Sequence, residues 1–119
     1  MNWGAVGAIL MGLGVMLGAF GAHGLRDRLD AYSMSIYERA VFYHFLHALG
    51  ILIVSGLAKL TLSQRNWVCA LLFVGVLVFS GSLYALAISG VRLLGAITPI
   101  GGISFMAAWF LLAWYLYRS

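Results

Sequence analysis

Along the chain, apolar positions gather into four runs, roughly residues 3–25, 39–58, 67–89 and 95–117, separated by short stretches that hold most of the charges. At about 1.5 Å per residue, each run is long enough to cross about 30 Å of hydrocarbon. The pattern predicts an all-α integral membrane four-helix bundle with both termini on the same side, and residues 1–119 as a single transmembrane domain. The terminal side also carries the connection 59–66. The opposite, loop side carries the longer connection RDRLDAYSMSIYE, residues 26–38, and the turn around residues 90–94. In the longer connection Leu25, Leu29, Tyr32 and Ile36 recur near a helical repeat. Two readings fit them: a short interfacial helix between helices 1 and 2, or a solvated loop with a few apolar anchors.

Composition agrees with the pattern. The chain is 64% hydrophobic and 8% charged, with mean hydropathy +1.03, against about 25% charged residues in a soluble domain. Seven Lys and Arg against three acids, thinly spread, form no run that could track a phosphate backbone, so no nucleic-acid partner is expected. Cys69 is the single cysteine and excludes an internal disulfide. The start, MNW, lacks the basic region of a signal peptide, and the first run exceeds the usual apolar length of about 7–15 residues. It reads as a retained helix. Lys59, Arg65 and Arg118 on the terminal side nearly balance Arg26, Arg28, Arg39 and Arg92 on the loop side. Orientation therefore leans to termini inside only because Asp27, Asp30 and Glu38 dilute the loop side.

The polar positions within the runs are one-sided. GAFGAH (18–23), YHFLH (43–47), SGSLY (80–84) and TPIGG (98–102) all fall in the loop-side half once alternate spans reverse direction. His44 and His47 lie about 7 and 12 Å below the start of their helix, on a face shared with Ala40 and Ile51. His23, His44, His47, Ser80, Ser82, Tyr84, Thr98 and Arg92 are thus expected to converge on one polar cluster, the candidate ligand-binding region. Hydrogen bonding between helices is the preferred reading of the imidazoles. A site for a small ligand or lipid headgroup, a three-histidine zinc site and a two-histidine haem site are the alternatives. No HExxH, no CxxCH and no carboxylate within a span accompanies them, so no catalytic residue, metal or cofactor is assigned. Arg92 reads as an interfacial anchor, with pairing to Asp27, Asp30 or Glu38, or a hold on a lipid phosphate, as alternatives.

Small residues predict close helix packing at Gly14, Gly18, Gly81, Gly101 and Gly102. Pro99 suits a first helical turn, with Thr98 expected as its N-cap. Trp67, Trp109, Trp114, Tyr115 and Tyr117 fit an aromatic belt on the terminal side.

Taken together, GAFGAHGL, YERAVFYHFLHAL, FSGSLYALAISG and LGAITPIGG resemble the YgdD/YwdK-like small bacterial inner-membrane proteins, a domain of unknown function. The matching positions are Gly18, Gly21, His23, Tyr43, His47, Ser80, Gly81, Ser82, Tyr84, Gly95, Thr98, Pro99, Gly101 and Gly102. The resemblance implies a four-span protein of the bacterial inner membrane without an established activity. The residues themselves favour a non-enzymatic protein that supports envelope integrity by packing with lipids, with a second copy or with a membrane-protein partner. A small-molecule or ion transporter or channel using the polar cluster is the alternative, and a histidine-ligated metal or haem protein the third. No span core holds an Asp or Glu of the kind that small multidrug exporters use for proton exchange.

Overall fold

Asn2 opens the first helix by accepting the Ala5 N–H on its side-chain oxygen at 3.0 Å. Helix α1, Trp3–Phe20, continues through a wider π turn, Gly21–Leu25. Helix α2 is Ala31–Ser55. Helix α3 runs Leu62–Ser89 with a π turn at Val76–Ser80, and ends at Gly90, whose φ of 74° is the only left-handed backbone in the chain. A 3₁₀ turn, Arg92–Ala96, leads into α4, Thr98–Arg118. The computed structural model describes all residues from Met1 to Ser119, and every regular element in it is helical.

Two expectations about boundaries are corrected. Residues 31–38 form neither a separate interfacial helix nor a loop: they are the first turns of α2. Asp30 is the reason, because its carboxylate accepts the Ser33 N–H at 2.7 Å and starts the helix well before the apolar run begins. Met34, Ile36 and Tyr37 are then buried with Leu25, Leu83 and Ala87. Likewise α3 starts at Leu62, ahead of its apolar run, because Thr61 and Gln64 form a reciprocal capping box at 3.1 and 3.0 Å. Thr98 is not an N-cap; it is the first helical residue, and its hydroxyl faces α3.

Three stretches are long and apolar enough to cross a membrane: Trp3–Leu25, Leu62–Ser89 and Arg92–Arg118. The exception is α2, where Glu38, Arg39, His44 and His47 interrupt the apolar sequence. It is also the most enclosed helix, with Ala40, Ala48, Ile51 and Val54 fully buried. Consecutive helices run antiparallel. Gly7 meets Ala48 and Leu52 while Gly14 meets Phe45; Ile51 meets Cys69 while Ala40 meets Ser80; Leu71 meets Ser104 while Ser82 meets Thr98. The molecule measures 49 × 26 × 20 Å, and its long axis is close to the 40–45 Å of a bilayer with headgroups.

Between apolar helices in lipid, association rests on close packing and hydrogen bonds rather than on escape from water. A Cβ at Gly14 would meet the Phe45 ring at 2.8 Å, and one at Gly7 would meet Leu52 Cγ at 2.9 Å and the Ala48 carbonyl at 3.2 Å. At Gly21, Gly75 and Gly101 a side chain would strike the Tyr37 ring, the Phe105 ring and the Phe79 backbone. Three of the expected packing glycines are not such contacts. A Cβ at Gly18 would sit an ordinary 3.6 Å from Val41, one at Gly102 3.8 Å from Phe79, and Gly81 has nothing within 4 Å. The spacing of small residues marks a row, but which member meets a neighbour depends on the crossing point of the axes.

Candidate functional site

Most of the polar side chains in the loop-side half lie where α2 meets its neighbours. His44 is buried, and both ring nitrogens are engaged. Nε2 lies 2.7 Å from the Leu10 carbonyl of α1, which can only accept, so Nε2 carries the proton. Nδ1 is then an acceptor, and the Tyr84 hydroxyl of α3 donates to it at 2.9 Å. One imidazole thus joins three helices. Beside it the Tyr37 hydroxyl donates to the Leu17 carbonyl, and the Tyr37 and Tyr84 rings meet edge to face at 5.2 Å.

His47 looks toward α4 instead. Its Nδ1 donates to the Tyr43 carbonyl one turn back at 2.8 Å, and its ring stacks on Phe105 with centroids 3.5 Å apart. Trp109 and Tyr43 complete an aromatic surround at 5.9 Å each. Three positions correspond to about 60° around a helix, enough to send the two histidines to different neighbours. Ser80, fully buried at the π turn of α3, donates to the Ala40 carbonyl at 2.9 Å. Ser82 and Thr98 share a hydroxyl–hydroxyl bond of 2.5 Å between α3 and α4.

The expected single cluster is therefore divided. His44 and Tyr84 form one group, Ser82 and Thr98 another, and Ser80 and His47 bond to backbone on their own. His23 is exposed at the end of α1, and no three ligating side chains come together with it. Arg92 is also exposed, and pairs with none of Asp27, Asp30 and Glu38 at salt-bridge distance. It lines a loop-side concavity of about 500 Å³ together with Asp30. The Ser33 N–H bonded to Asp30 holds that carboxyl below its ordinary range.

Two features lay beyond sequence reasoning. Tyr37 stands next to Glu38 and Arg39, so nothing marked it as the buried partner of α1. An apolar groove of about 480 Å³ also opens along α1 and α3, walled by Leu10, Leu13, Met16 and Leu77, with Gly81 and the His44–Tyr84 pair among its lining. Gly81, read as a packing residue, helps keep that groove open.

Comparison with known proteins places the chain in a family. A relative from Staphylococcus haemolyticus, named UPF0382 membrane protein SH2409, is 49% identical over 107 residues, covering 90% of this chain and 88% of its own. UPF0382 membrane protein YwdK of Bacillus subtilis is 42% identical over 112 residues, covering 90% and 89%. A Staphylococcus aureus relative, UPF0382 membrane protein SAB0533, is 40% identical over 107 residues, covering 90% and 88%. No solved structure matches the chain. Residues 17–102 match the family described as "Protein of unknown function (DUF423)", and with relatives similar across most of their length, the chain belongs to that family of membrane proteins.

Proposed function

We propose that the chain is a non-enzymatic protein of the bacterial cytoplasmic membrane, crossing it four times with both termini on one side, and that it supports envelope integrity by packing against lipid. The observation that carries this reading is how the polar side chains of the helices are spent. His44 uses both nitrogens, Tyr84 its proton, Ser80 and Ser104 theirs, and Ser82 and Thr98 meet each other. A proton path or a metal site needs groups with free valences facing a shared space. Here those polar atoms act as ties between helices, His47 bonds within α2 and stacks on Phe105, and the outward face is left to Ile9, Val15, Met16, Phe42, Ile103 and Phe110, all exposed. The antiparallel order of the helices supports the four-span arrangement, with the least apolar helix, α2, shielded by the others.

Transport through the polar cluster is the competing reading, and His44 separates the two. In a bacterium lacking the protein, entry of a membrane-impermeant dye should rise and should fall again when the wild type is restored. A His44→Gln variant can donate to Leu10 and accept from Tyr84, so it should restore the barrier as well as the wild type. Liposomes carrying either form should hold a pH gradient like empty ones. A His44→Gln protein present at normal abundance that fails to restore the barrier, together with a proton flux that the substitution abolishes, would establish transport instead.

A further inference from the structure

At the loop-side end, two segments far apart in sequence place opposite charges on one concavity. The start of α2 contributes Asp30, Tyr32 and Ser33, the end of α3 contributes Leu86 and Gly90, and the 3₁₀ turn contributes Arg92. The recess holds about 500 Å³, and its two charges do not neutralise one another, since no ion pair joins them. One Asp30 oxygen is committed to the Ser33 N–H, which fixes in place a carboxylate that lines the recess. The α3–α4 turn around the recess also exposes Val91, Leu93 and Ile97, apolar side chains that suit the boundary between headgroups and hydrocarbon.

Resting on the reading that the chain packs against lipid, we propose that this recess binds the headgroup of a phospholipid that carries a primary ammonium. The Arg92 guanidinium takes the phosphodiester, for which its planar fork of donors is suited. Asp30 takes the ammonium through an N–H donor. A phosphocholine headgroup carries the same two charges but no N–H, so it satisfies Arg92 and offers Asp30 a charge without a hydrogen bond. A recess lined by one cation and one anion matches a zwitterion and not a purely anionic headgroup.

The test is lipid retention by the full chain in mild detergent, read by native mass spectrometry, with phosphatidylethanolamine and phosphatidylcholine of identical acyl chains as competing probes. The wild type should favour phosphatidylethanolamine by roughly two- to fivefold, the range that one hydrogen bond at an exposed site supplies. Asp30→Asn keeps an equally good N-cap while removing the charge; it should bring the ratio to about one with helix content unchanged. Arg92→Gln should lower retention of both lipids. Equal retention of the two by the wild type overturns the headgroup site while leaving the packing proposal standing; a preference that survives Asp30→Asn overturns the assignment to this recess. Retention of neither lipid overturns the packing proposal too. Binding of soluble phosphoethanolamine as tight as that of the lipid overturns a lipid occupant in favour of a free solute.

Discussion

Among single residues, His44 and the glycines carry the most structural consequence. Removing the imidazole by His44→Ala leaves the Tyr84 hydroxyl without its acceptor and removes one of the ties between α1 and α2. In detergent this should cost about 1–2 kcal/mol, in line with hydrogen bonds between membrane helices. His44→Gln should recover most of it, and thermal melting of the two variants against wild type checks the pair. Gly101 and Gly81 make a second contrast. A methyl at Gly101 strikes the Phe79 backbone, which cannot move aside as a side chain can, whereas at Gly81 it enters open space. Gly101→Ala should therefore destabilise by about 1–3 kcal/mol from overpacking. Gly81→Ala should be neutral or stabilise by roughly 0.5–1 kcal/mol, because alanine suits a helix interior better. Equal melting shifts for the two would contradict the packing described for α3 and α4.

Among the elements, α2 is the informative one, because its beginning is set by a cap and its middle by two histidines. The Ser33 N–H bond depresses the Asp30 pKa in the folded chain below its unfolded value of about 3.9. A depressed carboxyl stabilises above the unfolded pKa, and that contribution is lost as pH falls through the lower, folded value. Amide protection in the first turn of α2, measured by hydrogen exchange and corrected for intrinsic rates, should hold from neutrality to about pH 4 and drop below it. Asp30→Asn should flatten that drop. The same helix marks what was legible in the sequence. The apolar run gave α1 its full extent, residues 3–25, because there the helix and the span coincide. For α2 they do not: hydrophobicity reports the part that meets lipid or core, while the cap at Asp30 decides where the helix starts. The inward face of Ala40, His44, His47 and Ile51 was readable from spacing, and all four are buried. That His44 would face α1 and α3, and His47 face α4, was not, since the division depends on where the neighbours sit around α2. Gly7, Gly21 and Gly75 were missed for the same reason: a close contact is a property of two helices, and a row of small residues shows only one.

At the scale of the whole molecule, the least apolar helix turns its polar face to the other three and leaves Phe42, Leu46 and Ile53 outward. His44 bonds to the Leu10 carbonyl and the Tyr84 hydroxyl of two neighbouring helices, while His47 bonds back to the Tyr43 carbonyl of α2 and stacks on Phe105, so both imidazoles are buried with a hydrogen bond inside the bundle. Everything proposed for the protein depends on α2 crossing the bilayer. The most direct test is labelling of single cysteines in whole cells with a membrane-impermeant maleimide, in a Cys69→Ser background. Ser33 stands at the start of α2 and Ser55 at its end. Ser33→Cys should label from one face of the membrane, sharing it with Ser89→Cys at the end of α3; Ser55→Cys should label only from the other face, with Ser63→Cys. Labelling of Ser33→Cys and Ser55→Cys from the same face would mean that α2 does not cross, and the four-span bundle would be contradicted.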